Sequence, residues 1–186
     1  MDALQAVVPA TLKIDLGCGT RKREGFLGVD ARSFAGVDLI CDLTAAPWPW
    51  PDGSVLEASA SHFVEHLTRE QRILFVNELY RVLVPGGKAT IVVPHWCSTR
   101  AYGDLTHEWP PVCEWWFNYL NANWRKTEAP HNDFYTCHFD VGWGYDPHPA
   151  LRVRSQEYQS FAVNFYKEAA QDMVATLTKQ PMPAVI

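Results

Sequence analysis

Apolar residues come in short blocks along the first third of the chain. Residues 11–16 form a brief apolar run that halts at Gly17-Cys18-Gly19, and residues 26–30 and 37–42 read as two more strands, each ending on an aspartate, Asp30 and Asp42. Residues 55–61 predict a fourth strand. Between the third and fourth, Pro47-Trp48-Pro49-Trp50-Pro51 carries three prolines, which remove N–H donors and fix φ, so it is a loop. The period then changes. Phe75, Val76, Leu79, Val82 and Leu83 recur at helical spacing, Thr68 with Gln71 three residues on matches a capping box, and Pro85-Gly86-Gly87 ends the helix. Residues 88–93 predict a fifth strand, closed by Pro94.

Residues 94–146 break this rhythm. Pro110-Pro111 and a high density of rings leave no clean period until a sixth strand at 135–143. Phe161, Ala162, Phe165, Tyr166 and Ala169 give a helix over 157–170, residues 173–178 a last strand, and 180–186 a frayed tail. Strands alternating with helices or turns predict an α/β fold around a mostly parallel sheet. Only six residues, 20–25, separate the glycine turn from the second strand, and six more separate the second from the third. Parallel crossovers normally take ~10–12 residues, so the first two crossover helices are single turns or missing.

Composition narrows the class. With 186 residues the chain can bury one sizeable core, so residues 1–186 are read as a single domain. Apolar residues at 47% and charged ones at 20% exclude disorder and fibrous repeats. Sixteen Lys and Arg against 21 Asp and Glu give a net charge of −5, which disfavours a nucleic-acid partner. Five scattered cysteines without C-x-x-C spacing signal neither a disulfide frame nor a zinc knuckle and suit the reducing cytoplasm. Residues 1–10 lack a leader pattern, and no run approaches the ~20 apolar residues of a membrane span. Thirteen aromatic residues, including six of the eight Trp, fall within 94–146, which marks that segment as a substrate or lid insertion.

The candidate chemistry lies at the strand ends. Glycines at 17 and 19 let a ligand approach the backbone closely because they carry no Cβ, and open α/β sheets bind ligands at the carboxyl ends of their strands. Asp30 stands where a carboxylate can accept the hydrogens of both ribose hydroxyls, and Asp42 stands beside the place of a base. A dinucleotide fingerprint requires a third glycine at the position held by Lys22. A nicotinamide oxidoreductase is therefore disfavoured, in favour of a ligand without a pyrophosphate.

Asp15-Leu16-Gly17-Cys18-Gly19, Gly28-Val29-Asp30, Cys41-Asp42-Leu43, Ser61-His62-Phe63-Val64-Glu65-His66-Leu67 and Arg81-Val82-Leu83-Val84-Pro85-Gly86-Gly87 follow one another in an order and spacing that resemble the class I S-adenosylmethionine-dependent methyltransferases. Val93-Pro94-His95-Trp96 and Gly103-Asp104-Leu105-Thr106-His107 extend the likeness to a small bacterial and phage-type, methyltransferase-11-like subgroup, with Leu105 in place of a proline. The resemblance implies a Rossmann-like fold with an antiparallel last strand, and S-adenosylmethionine as cofactor. It further implies that Gly17, Cys18 and Gly19 run along the methionine part and that Asp15 reaches its amino group. Asp30 would hold the ribose, Asp42 and Leu43 flank adenine, and Ser61 and His62 close the site. Leu56 stands where the family usually has Asp.

Methyl transfer from a sulfonium is a direct displacement, governed by alignment and desolvation, with a base needed where the acceptor is a hydroxyl. His95, directly after the fifth strand, and the pair Asp104 and His107, three residues apart on one helical turn, are the catalytic candidates. Trp96, Tyr102 and Trp109 are the substrate candidates, with Trp115 and Trp116 beside them. A divalent ion on His95, Asp104 and His107 is conceivable, but no metal is assigned. Glu65-His66 is expected to open the long helix in a structural role. The acceptor is a small molecule, a glycan or a macromolecule, and a second subunit in a homodimer is one way to cover the cofactor. The alternative function is an inactive S-adenosylmethionine-binding partner protein.

Overall fold

The computed structural model describes residues 11–183. The readings of residues 1–10 and of the last three tail residues lie outside the described part. Seven strands form one sheet in the order β3-β2-β1-β4-β5-β7-β6. These are β1 (Leu12–Leu16), β2 (Leu27–Asp30), β3 (Leu39–Ile40), β4 (Val55–Ser61), β5 (Leu83–Pro94), β6 (Phe139–Pro147) and β7 (Ala170–Lys179). β3, β2, β1, β4 and β5 pair in parallel, whereas β7 is antiparallel to both β5 and β6. The expected mostly parallel sheet with an antiparallel last strand is what forms.

The two short crossovers hold no helix. Side chains do the work that helix packing does elsewhere. Asp15 accepts the Arg23 backbone N–H at 2.7 Å and Asp38 accepts that of Gly28 at 2.7 Å. Lys22 pairs with Asp38 at 2.9 Å, so the residue that breaks the dinucleotide fingerprint ties one tight loop to the next. A Cβ on Gly28 would lie 2.6 Å from the Gly36 carbonyl oxygen, so only glycine allows the second loop to lie this close to β2.

Helix α1 (Arg69–Val82) begins on the predicted capping box, with Thr68 accepting from the Gln71 backbone and Gln71 from the Thr68 backbone. Its Phe75, Val76, Leu79 and Val82 are buried, each contributing ~1.5–3 kcal/mol of apolar transfer. The Pro-Trp loop packs on this helix, with Trp48 edge-on to Phe75 at 5.4 Å. Glu78 accepts the Trp48 N–H, and Arg81 donates to the carbonyls of Trp48 and Trp50.

Three boundaries differ from expectation. Pro85-Gly86-Gly87 does not end the helix; the helix stops at Leu83 and the chain runs straight into β5. The register against β4 jumps from Val55↔Leu83 to Glu57↔Lys88, so the three residues form a bulge in a longer strand. The sixth strand starts at Phe139 rather than at residue 135, because Arg125 takes the Tyr135 and Cys137 carbonyls that a ladder would use. The late helix is α5 (Gln156–Phe165), and Ala170 already belongs to β7.

Residues 94–146 contain α2 (Arg100–Gly103), α3 (Glu114–Asn118) and α4 (Ala122–Glu128). Their anchors Phe117, Leu120, Cys137 and Phe139 are buried in the same core as α1, and Asn77 of α1 exchanges hydrogen bonds with the backbone of Phe134 and Thr136. Among the described residues, no helix is long and apolar enough to cross a membrane.

Candidate active site

A cleft of about 390 Å³ opens at the carboxyl ends of β1 and β4, lined by Asp15, Gly17, Cys18, Gly19, Ser61 and His62, with Thr20, Arg21 and Arg100 at its rim. The turn that shapes it is fixed by the Gly17 and Cys18 N–H groups, which both donate to the Val29 carbonyl at 2.8 and 3.1 Å. Gly17 has φ +68° and a Cβ there would meet the Phe63 ring at 2.3 Å. Gly19 has φ +51° and nothing within 4 Å of a Cβ, so the cleft keeps open the space a side chain would fill. Asp30 accepts the Gly19 N–H at 3.0 Å through Oδ2 and the Arg32 N–H at 3.0 Å through Oδ1. This aims its carboxylate along the edge of the glycine turn.

The base-side candidates stand apart from these lining residues. Asp42 is exposed and caps its own turn by accepting from the Thr44 N–H and hydroxyl at 2.9 and 2.6 Å, hydrogen bonds that lower its pKa. Leu43 is a correction: its side chain is 2% exposed in the core and its carbonyl accepts the Trp48 indole N–H at 3.2 Å.

At the open end of β4 the chain turns sharply through His62, whose φ of +54° is unusual for a residue other than glycine. Its Nδ1 lies 3.2 Å from Glu65 and its Nε2 3.7 Å from Asp172. The Glu65 hydrogen bond raises the His62 pKa against the opposing effect of burial. Asp172 in turn pairs with Arg100 at 3.0 Å. Arg100 and Asp172 carry no motif of their own, and only the pairing of β7 with β5 brings them to this edge.

A second cleft, about 560 Å³, lies at the same end of the sheet on the β5-β7-β6 side. Trp96, Tyr102, Glu114, Trp115, Trp143 and Tyr145 form most of its wall. Its polar centre is Glu114. One carboxylate oxygen accepts from His95 Nε2 at 3.0 Å and from the Tyr145 hydroxyl at 2.9 Å, and the other accepts the Trp96 indole N–H at 3.0 Å. Burial alone would raise the Glu114 pKa, but the hydrogen bonds from His95, from its own backbone and from Tyr145 outweigh it and hold the pKa at about 2. Tyr145 is pushed up to about 12 by burial and by that carboxylate.

His95 is therefore not the base expected from its place after β5. It is 0% exposed. Its Nδ1 accepts the Cys97 N–H at 3.2 Å, so Nε2 carries the proton given to Glu114. It orients the carboxylate and has no nitrogen left for an acceptor. Asp104 and His107 lie on a turn rather than a helix, and their 3.9 Å approach exceeds a hydrogen bond. Asp104 instead accepts from the Thr106 N–H and hydroxyl at 2.8 and 2.7 Å, which lowers its pKa. His107 turns to His66, ring centroids 4.7 Å apart, so His95 and His107 belong to different clusters. Trp96 and Tyr102 line the aromatic cleft. Trp109 is 77% exposed and stands outside, 6.3 Å from the Tyr102 ring. Trp116 points inward, its indole donating to the Tyr135 hydroxyl at 3.0 Å.

Glu65-His66 does not open α1. It forms a separate 3₁₀ turn, Val64–His66, before the Thr68 cap. Arg72, 6% exposed, fastens that turn by donating to the carbonyls of Val64, Glu65, Glu108 and Pro110. Arg72 stands on the otherwise apolar face of the helix formed by Phe75, Val76 and Leu79, a pattern that calls for polar partners.

No family model matches the chain, and a search of curated proteins finds no significant match. Solved structures do match. An S-adenosylmethionine-dependent methyltransferase from Archaeoglobus fulgidus aligns over 90% of this chain and 86% of its own at 20% identity, with a TM-score of 0.65. One from Mesorhizobium loti aligns over 90% of each chain at 13% identity and a TM-score of 0.54. The 1,6-didemethyltoxoflavin-N1-methyltransferase of Burkholderia thailandensis, solved with bound 1,6-didemethyltoxoflavin and S-adenosylhomocysteine, aligns over 91% of this chain and 71% of its own at 13% identity, TM-score 0.55. The chain thus has the Rossmann-like fold of S-adenosylmethionine-dependent methyltransferases.

Proposed function

We propose that this protein is an S-adenosylmethionine-dependent methyltransferase that takes its cofactor in the glycine cleft and its acceptor in the aromatic cleft. The observation that carries the proposal is the convergence of Asp15, Gly17, Gly19, Ser61 and His62 on one cleft at the carboxyl ends of the central strands. When bound, the cofactor supplies a methyl group on a sulfonium. Asp30 holds its ribose hydroxyls, and Asp15 and the glycine turn hold its amino-acid part. Arg21 and Arg100 give the cleft mouth the positive charge that a carboxylate requires. The Val-Pro-His and Asp-Leu-Thr-His segments support a place in the small bacterial and phage-type subgroup. Calorimetry with S-adenosylmethionine and S-adenosylhomocysteine tests this: binding of both is expected, and no binding at millimolar ligand overturns it.

The acceptor carries a basic nitrogen. An ionised Glu114 surrounded by Trp96, Trp115, Trp143 and Tyr145 favours a cation, because ring faces and a carboxylate both attract positive charge. When a neutral amine attacks the methyl group, its lone pair forms the new C–N bond as the C–S bond breaks. The positive charge then passes from sulfur to nitrogen, where these groups stabilise it. Choline and its uncharged isostere 3,3-dimethylbutanol are the probes. Tryptophan fluorescence should report at least ~10-fold tighter binding of choline; equal binding of the two would remove the cationic acceptor.

A further inference from the structure

Outside the lining of both clefts, Glu65, His66 and His107 converge from two segments of the chain, and each offers a ligand atom within 4.8 Å of the other two. His95 takes no part. We propose that these three residues bind one divalent first-row transition ion through two imidazole nitrogens and a carboxylate oxygen.

Glu65 is 4% exposed, and among the described residues its Oε2 has no hydrogen-bond partner. Its other oxygen, Oε1, already meets His62. A buried carboxylate oxygen without a donor is costly and calls for an explanation. A cation bound there supplies one.

The two imidazoles are set as ligands. His66 Nδ1 lies 3.0 Å from the Thr106 hydroxyl and 3.3 Å from the Thr106 carbonyl, and His107 Nδ1 lies 3.3 Å from the Ala101 carbonyl. A ring whose Nδ1–H donates to a carbonyl presents a bare lone pair at Nε2, and such a second partner orients most metal-binding histidines. The rings stand edge to face, 74° apart, so neither stacks over the other.

The frame exists before any ion arrives. The Glu108 N–H donates to the Glu65 carbonyl at 2.8 Å. The Arg72 guanidinium joins the carbonyls on both sides, Val64 and Glu65 on one, Glu108 and Pro110 on the other. The 3₁₀ turn bearing Glu65 and His66 is thereby locked against the strand of chain that bears His107. Donors around a zinc-sized ion lie ~2.0–2.2 Å from it, so small side-chain rotations complete the shell. Asp104, its Oδ2 3.9 Å from His107 Nε2, adds negative charge at the rim.

Two imidazoles with one carboxylate suit zinc, iron(II), cobalt(II) or nickel(II) rather than magnesium or calcium, which prefer all-oxygen shells. Three protein ligands leave positions free for water, as in open zinc sites. The site does not depend on methyl transfer and stands or falls without the cofactor.

The test is titration of the chelator-treated full chain with Co²⁺, read by visible d–d absorption, and with Zn²⁺, read by calorimetry and thermal shift. Uptake of one ion per chain is expected, together with a raised midpoint of unfolding. His66→Ala and His107→Ala should each weaken uptake at least ~10-fold and abolish the shift, while His131→Ala, on an exposed loop, retains both. Circular dichroism of the metal-free variants separates lost ligation from lost folding. Absence of uptake by the wild-type chain, or uptake unchanged in folded His107→Ala, overturns the proposal.

Discussion

Gly17 and Glu114 each do something only their own side chain, or lack of one, allows. Gly17 sits at φ +68° with the Phe63 ring where a Cβ would go, so an alanine there meets both backbone strain and a clash. Gly17→Ala should lower stability by about 2–3 kcal/mol and weaken S-adenosylhomocysteine binding, measured by urea denaturation and calorimetry; wild-type values for both would remove the turn from the site. Glu114 shows the same dependence in its charge. Its pKa of about 2 lies below the ordinary 4.5, so its ionised form stabilises the fold above pH 4.5, and that contribution drains away as the pH falls toward 2. The loss is at most about 3 kcal/mol. Thermal midpoints measured from pH 5 down to 2 should therefore fall more steeply for the wild type than for Glu114→Gln, and parallel curves would contradict the assignment.

Arg72 connects residue to element. Through one guanidinium, α1 holds a 3₁₀ turn and a loop that differ widely in sequence position. Burial lowers its pKa, opposed mainly by Glu108 and Glu65. Arg72→Met keeps the apolar stem but strands those carbonyls, and should cost about 2–4 kcal/mol by denaturant melting; a variant as stable as wild type would mean water replaces the guanidinium. The elements that sequence alone delimits are those with strong local signals: β1 halted by glycines, β4, and α1 with its Thr68–Gln71 cap. Pro85-Gly86-Gly87 misleads because a bulge in a paired strand has the same composition as a helix stop. The glycine cleft is legible for the same reason as β1, since its residues are contiguous with strand ends. The Glu114 cluster is not legible, because its donors come from the turn just after β5 and from β6, and only the antiparallel register with Tyr145↔Met173 and Val93↔Met173 brings them together.

At the scale of the molecule, the sheet divides the work. The parallel strands β2, β1 and β4 shape the glycine cleft, whereas the antiparallel end, with β6, frames the aromatic one. Helix α2 stands between them, Arg100 at the rim of the first and Tyr102 in the wall of the second. The Arg100–Asp172 pair ties that short helix to β7. Direct displacement requires the two clefts to open to each other beside α2, yet residues at their far ends should respond to substitution independently. Asp30→Ala should weaken S-adenosylhomocysteine binding at least ~10-fold, as loss of charged hydrogen bonds does, and leave choline binding unchanged. Trp115→Ala, at a ring 66% exposed and dispensable to the core, should do the reverse. Because Arg100 borders one cleft and positions the helix of the other, Arg100→Ala should alter both. A double-mutant cycle between Asp30→Ala and Trp115→Ala should close to within ~0.5 kcal/mol. A larger coupling would mean that Asp30 and Trp115 do not act at opposite ends of the space in which the two ligands must meet for direct displacement.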